Sequence, residues 1–185
     1  FVSERLIDQS AAVMGQTAEN LHDAFPELTR EAADRYAAES QRRASAAWAQ
    51  EADGVFGRTV VPMAVFGHEG WRIADRDEFL RPETTVETLQ ALREPFRVGG
   101  RVTAGNAAGM NDGAAALVVA DLDLAEAAGA QVLATVRAWA SVGVEPERTG
   151  LAPTVAIPKV LGRAGLEVAD IDLWEINEAF ASVCV

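Results

Sequence analysis

The sequence predicts an α/β protein in which a mostly helical excursion precedes part of a layered sheet core. Two observations carry this. Two apolar or nearly all-apolar runs, residues 114–120 and 131–142, and a third strand-like run, residues 170–176, alternate with short stretches of helical period. That is the order of a parallel sheet whose strands are covered on both faces. Residues 1–60 are instead rich in Ala, Glu, Arg and Gln, with apolar side chains at three- and four-residue steps. Three strands alone leave a two-sided sheet poorly covered. The chain also opens on Phe1 and closes on apolar residues, so the expectation is a piece of a larger protein.

Taken in order, residues 10–24 place Met14, Ala18, Leu21 and Phe25 on one helical face. Between Pro26 and Gly54 a long helix is expected from Ala33, Tyr36, Ala37, Ala44, Ala47 and Trp48, ended by the turn chemistry of Asp53-Gly54. Residues 58–67 are β-branched but contain Pro62, which confines them to an edge strand or a short ribbon. Thr84 and Glu87 have capping-box spacing and open a helix whose Leu89, Leu92 and Phe96 share a face. After the three-strand pattern begins, residues 121–129 read as a helix stopped by Gly129. Residues 158–165 read as a helix with Pro158 at its start and Gly165 at its end, and residues 177–183 as a further helix directly after the last strand.

Composition excludes several classes. With 185 residues and 49% hydrophobic content, the chain can bury a core. Its net charge of −12 argues against nucleic acid, which is bound by Lys and Arg neutralising phosphates. No run is apolar for long enough to span a bilayer, and Glu4, Arg5, Asp8 and Glu19 interrupt anything resembling a leader. A single cysteine, Cys184, forms no internal disulfide, so a reducing, cytoplasmic setting is expected.

Five places could carry chemistry. Residues 101–119 space Gly105, Gly109 and Gly113 by four, with Asn106, Asn111 and Asp112 between them. Such a run either lets backbones pack closely or brings exposed amides to a ligand. It matches neither a dinucleotide fingerprint nor a phosphate-binding loop. Asn177-Glu178 lies where a strand gives way to a helix, the side of an open sheet on which ligands bind, although a helix cap would use the same pair. Cys184 sits between Val183 and Val185, with no nearby cation to favour a thiolate, and reads as a structural thiol. His22 and His68 have no metal-ligand spacing and read as surface or capping residues, so no metal is expected. Arg81, Arg93, Arg97 and Arg101 either pair with neighbouring carboxylates or face an anionic ligand.

Three stretches together narrow these alternatives. VMGQTAEN (13–20), VTAGNAAGMNDGAAAL (102–117) and WEINEAFA (174–181) stand in the order and spacing of the thiolase family, and residues 141–161 resemble its matching segment. The resemblance, which covers essentially the whole chain, implies acyl exchange between CoA and acetyl-CoA, making or cleaving a 3-ketoacyl-CoA, as in fatty-acid β-oxidation. It implies no cofactor beyond the CoA thioester substrate, a homodimer or homotetramer, and no nucleic-acid or membrane partner. It divides the chain into a CoA-covering loop domain (1–110), the end of an N-terminal α/β half (111–128) and the start of a C-terminal half (129–185).

The resemblance also assigns residues. Asn177 matches the family asparagine that holds a water against the developing enolate oxygen. Met14, Arg81, Leu92, Phe96, Ala104, Ala108, Ala179 and Phe180 match CoA contacts. The family's nucleophilic cysteine, its histidine and its second cysteine correspond to positions outside residues 1–185, so this chain alone is expected to be inactive. Ala108 replaces a serine common in relatives, losing a hydroxyl contact to the pantetheine arm. Val13 replaces a histidine of short-chain biosynthetic members, which suggests a degradative enzyme of broader chain length. Asn177 argues against the sterol-carrier branch, whose motif carries histidine there. A dehydrogenase would need a glycine fingerprint that is absent. The non-enzymatic alternative is an inert fragment, or a CoA-binding or oligomerisation module.

Overall fold

A computed structural model of the chain describes residue 11, residues 13–50 and residues 53–185. The expected start of the first helix at residue 10 lies outside them, as does Asp53's neighbour at position 52. Helix α1 (Met14–Ala24) buries Thr17, Ala18, Glu19, Leu21 and His22, while Met14 and Phe25 at its ends stay exposed. The expected face is therefore rotated. Ala18, Leu21 and His22 form the inner stripe at i, i+3 and i+4.

Helix α2 (Arg30–Trp48) starts at Thr29, whose hydroxyl accepts the Ala32 amide at 3.1 Å. Ala33 and Ala37 face inward, and Glu31, Arg35, Glu39, Arg42 and Arg43 pair with one another along the solvated side. A five-residue helix α3 (Val55–Thr59) follows, with Phe56 stacked on Trp48. Pro62 then precedes strand β1 (Met63–Gly67), which pairs antiparallel with β2 (Gly70–Ala74) through a two-residue turn at His68-Glu69. The ribbon on Pro62 was legible in the sequence; its second strand was not.

Helix α4 (Val86–Gln90) has its capping box one residue later than expected, with the Thr85 and Thr88 side chains serving each other's amides. It stops at Gln90, and Pro95, which disfavours helical geometry at Glu94, keeps it from being extended to Phe96. Helix α5 (Leu122–Ala127) matches expectation, capped by Asp121 and closed by Gly129 at φ 66°. Helix α6 (Ala152–Ala164) begins six residues earlier than expected. Pro153 takes the starting role assigned to Pro158, which sits mid-helix, and Gly165 at φ 68° ends it. A 3-10 turn over Pro146–Leu151 leads into α6 and packs on α1, where Asn20 Nδ2 donates to the Glu147 carbonyl at 3.0 Å. The last helix, α7 (Ala181–Cys184), is short and packs on both α1 and α2.

The three strand-like runs are not strands here; the only sheet among the described residues is the β1–β2 ribbon. Leu117, Val118, Leu133, Val136 and Leu173 are exposed. A central parallel strand exists only through hydrogen bonds to strands on either side and helices on both faces. Among the described residues no strand pairs with these runs. No described helix is long and apolar enough to cross a membrane.

His22 is buried rather than at the surface, and its Nδ1–H donates to the Leu28 carbonyl, fixing the turn between α1 and α2. Burial, more than any other cause, holds its imidazole below the ordinary histidine value. As pH falls, the unfolded chain takes up this proton before the folded one, so the stability present above about pH 6.5 is lost on acidification. Thermal melting of the complete protein should drop between about pH 7.5 and about pH 5.5. His22→Gln, which keeps a donor for Leu28, should shrink that difference; an unchanged pH dependence would contradict the assignment.

Candidate active site

Ala104, Ala108, Ala179 and Phe180 of the expected site residues come together at the turn at 101–109, and Leu92 lies against it. Its first anchor is Glu19 of α1, completely buried. The Glu19 carboxylate accepts the amides of Arg101 (2.8 and 2.9 Å) and Val102 (2.8 Å), and Arg97 Nη2 reaches it at 3.3 Å. Gly100 is needed beside it, since a Cβ there would lie 2.2 Å from Glu19 Oε1.

The second anchor is Asn106. Its Oδ1 accepts the Thr103 amide at 2.8 Å, while Nδ2 donates to the Arg101 carbonyl and to Asp34 Oδ1, each at 2.9 Å. Asp34, fully buried on α2, also accepts from Arg30 Nε at 2.9 Å. Arg30 extends the connection: Nη2 donates to the Leu89 and Leu92 carbonyls, and Nη1 to Glu94. One guanidinium thus ties α2 to Leu89 of α4 and to Leu92 just beyond its end.

The turn is joined to the last motif by main-chain bonds. Ala108 N donates to Ala179 O at 3.0 Å and Ala181 N to Asn106 O at 2.9 Å, with Ala107 and Phe180 forming an antiparallel bridge. This brings Ala108, Ala179 and Phe180 side by side. Leu92 and Leu89 pack against Gly105, next to Ala104, so closely that a Cβ on Gly105 would meet them at 2.7 and 2.4 Å. The Phe96 ring lies on Gly15, the neighbour of Met14. Arg81 joins through Phe79, which packs on Gly109, and through Gln41 of α2, whose Oε1 accepts the Arg81 amide at 2.8 Å. The Arg81 guanidinium uses Nη1 alone to bind the Glu78 and Leu80 carbonyls.

Two alternatives left by the sequence are decided. Arg97 forms a two-pronged pair with Asp23 at 2.6 and 2.9 Å, which holds the Asp23 carboxyl below its usual range. Arg101 also faces Asp23, at 3.6 Å. Both cations are spent on internal pairs, leaving Arg81 and Arg93 at the surface. The Asn177-Glu178 pair does not cap a helix, because α7 starts only after Phe180 and has no side-chain cap. Asn177 is exposed, and Glu178 instead accepts hydrogen bonds from Tyr36 and Ser40 of α2. Cys184 is half-buried on α7. Among the described residues no cluster of three or more His, Cys, Asp or Glu could hold a metal ion.

Residues 2–123 match the thiolase N-terminal domain and residues 130–185 the thiolase C-terminal domain. The chain belongs to the thiolase family. It is 44% identical over 170 residues to the 3-oxoadipyl-CoA/3-oxo-5,6-dehydrosuberyl-CoA thiolase of Escherichia coli, an alignment covering 91% of this chain and 41% of that one. To the rat peroxisomal 3-ketoacyl-CoA thiolase B it is 40% identical over 191 residues, covering 98% of this chain and 44% of that one. The crystal structure of human mitochondrial 3-ketoacyl-CoA thiolase superimposes with a TM-score of 0.84 at 38% identity, over 98% of this chain and 45% of that one. The fold is therefore thiolase-like, and the chain spans less than half the length of these relatives.

Glu19 and Asp34, the two buried anchors, escaped the sequence reading. The available signal was an acidic residue set within each apolar stripe, Glu19 beside Ala18 and Asp34 beside Ala33. Asn106→Ala should destabilise the complete protein by about 1–3 kcal/mol in denaturant unfolding, by leaving a buried carboxylate oxygen of Asp34 and the Thr103 amide unpaired. Asn106→Asp should cost more, since it sets a second carboxylate against Asp34. Asn111→Ala, at an exposed position, should stay within about 0.5 kcal/mol of the parent. An Asn106→Ala protein as stable as its parent would remove Asn106 as an anchor.

Proposed function

We propose that this chain supplies the CoA-covering region and one catalytic side chain of a thiolase-type acyltransferase. The complete protein would exchange an acyl group between CoA and acetyl-CoA, cleaving or forming 3-ketoacyl-CoA. The supporting observation is the pair of main-chain bonds between residues 106–108 and 179–181, which sets the Ala104–Ala108 turn against the segment carrying Asn177. The names of the relatives support the substrate class, two of them being thiolases of 3-oxoacyl-CoA or 3-ketoacyl-CoA compounds.

In this reading residues 1–110 cover CoA, 111–128 close an N-terminal α/β half and 129–185 open a C-terminal one. Leu92 and Phe96 offer an apolar wall to the pantetheine arm, with Met14, Ala104, Ala108, Ala179 and Phe180 around it. Arg81 meets the nucleotide end. Asn177 holds a water whose hydrogen bond meets the oxygen that becomes negative as acetyl-CoA loses a proton to form its enolate. A donor placed in advance there stabilises the transition state more than the ground state. The acyl-carrying nucleophile and its acid–base partners are supplied outside residues 1–185, so this chain alone does not turn over. The degradative direction, as in β-oxidation, a cytoplasmic setting and a homodimeric or homotetrameric assembly complete the proposal.

Asn177→Ala in the complete enzyme should lower kcat for condensation by about 10²–10³ with little change in KM. Asn177→Asp should be at least as damaging, because a carboxylate repels the forming anion. An Asp variant with near-normal kcat would contradict the catalytic role.

Phe96→Ala should weaken CoA esters by about 1–3 kcal/mol through lost apolar contact. Arg81→Ala should have a smaller effect that shrinks with added salt. If acyl-pantetheine substrates, which lack the nucleotide, respond to Arg81→Ala as strongly as CoA esters do, Arg81 does not meet the nucleotide end.

A further inference from the structure

Tyr36 and Ser40 stand four residues apart on α2, one helical turn, and both aim their hydroxyls at the same carboxylate. Tyr36 donates to Glu178 Oε1 at 2.8 Å and Ser40 to Glu178 Oε2 at 2.6 Å. Glu178 directly follows Asn177. Its main chain runs on through Ala179, whose carbonyl takes the Ala108 amide, to Ala181, whose amide binds the Asn106 carbonyl. The segment carrying Asn177 is therefore gripped twice: by the turn through its backbone, and by α2 through the Glu178 side chain.

Glu178 is exposed, so water could satisfy its carboxylate without either hydroxyl, and bonds of this kind add little to stability. Their consequence is geometric. Two donors from one rigid helix fix both oxygens and leave the peptide next to Asn177 little freedom. Tyr36 stays a donor across the neutral range, because partial burial first, then the Cys184 thiol and the Glu178 carboxylate, push its phenol well above the ordinary tyrosine value.

We propose that Tyr36 and Ser40, acting through Glu178, are positioning residues that fix the aim of Asn177 and so set the rate of enolate formation. The proposal rests on the reading of Asn177 above. It differs from a structural role in what it affects. Enolate formation needs Asn177, whereas transfer of an acyl group from acyl-CoA to the enzyme and back to CoA does not.

The test uses the complete protein and two assays: condensation of acetyl-CoA, and exchange of labelled CoA into acyl-CoA. Glu178→Ala, and Tyr36→Phe combined with Ser40→Ala, should each slow condensation about 10- to 100-fold while KM and the exchange rate hold. Glu178→Gln can still accept from Tyr36 and donate to Ser40, and should recover most of the rate. Added to Asn177→Ala, Glu178→Ala should cost nothing further, because both remove the same interaction. Tyr36→Phe alone, which deletes a single oxygen, guards against a variant that fails to fold. Equal losses in condensation and exchange, full additivity with Asn177→Ala, or unchanged condensation would each overturn the positioning role. A parent protein that performs neither assay would instead overturn the thiolase-type reading on which the proposal stands.

Discussion

The contact between Asp34 and Asn106 is the constraint on which the arrangement depends. A carboxylate with no solvent exposure, on α2, meets an amide that is itself almost wholly buried in the 101–109 turn. In such surroundings neither can lose its partner without a large penalty, so the pair acts as a position marker as well as an attraction. Everything near the site is measured from it. Through Arg30, Asp34 fixes the carbonyls of Leu89 and Leu92. Through its own carbonyl, Asn106 fixes the amide that starts α7. A helix from one end of the chain and a motif from the other are joined within two side chains.

Glu19 acts in the same way from α1. It spends its oxygens on the amides of Arg101 and Val102, leaving no room for a side chain at Gly100. The turn is held from two helices, and its small residues then let Leu89 and Leu92 lie against Gly105. The spacing of glycines that looked like a possible ligand loop has this cause at Gly105 and Gly109: the Leu89, Leu92 and Phe79 side chains occupy the space a Cβ would need. Ala104 and Ala108, at the edges of the same turn, are exposed.

Legibility in the sequence followed whether the cause was local. Gly129 after α5 and Pro62 ahead of β1 act within a few residues, and the elements they mark appear where such signals place them. Thr85 displaced Thr84 because Thr88 could reciprocate, a choice between two near-equal local bonds. Pro158 misled because Pro153 already stood at a better starting position. The strand-like runs failed for the opposite reason: a central strand is defined by neighbours, and no strand pairs with these runs among the described residues. The motifs named the family, and the structure shows how they meet. Glu19, Asp34 and the Tyr36–Ser40–Glu178 cluster depend on pairings more than 70 residues apart, which no spacing rule reveals.

The central claim is that one buried pair brings the CoA-covering residues and Asn177 into a single site. It is tested most directly by a crystal structure of the complete protein with acetyl-CoA bound. The expected result is a pantetheine arm lying against Leu92, Phe96, Ala104 and Ala108, the thioester end at Asn177, and Asn106 still donating to Asp34. CoA bound away from the 104–108 turn, or bound there with the Asn106–Asp34 hydrogen bond broken, would contradict it.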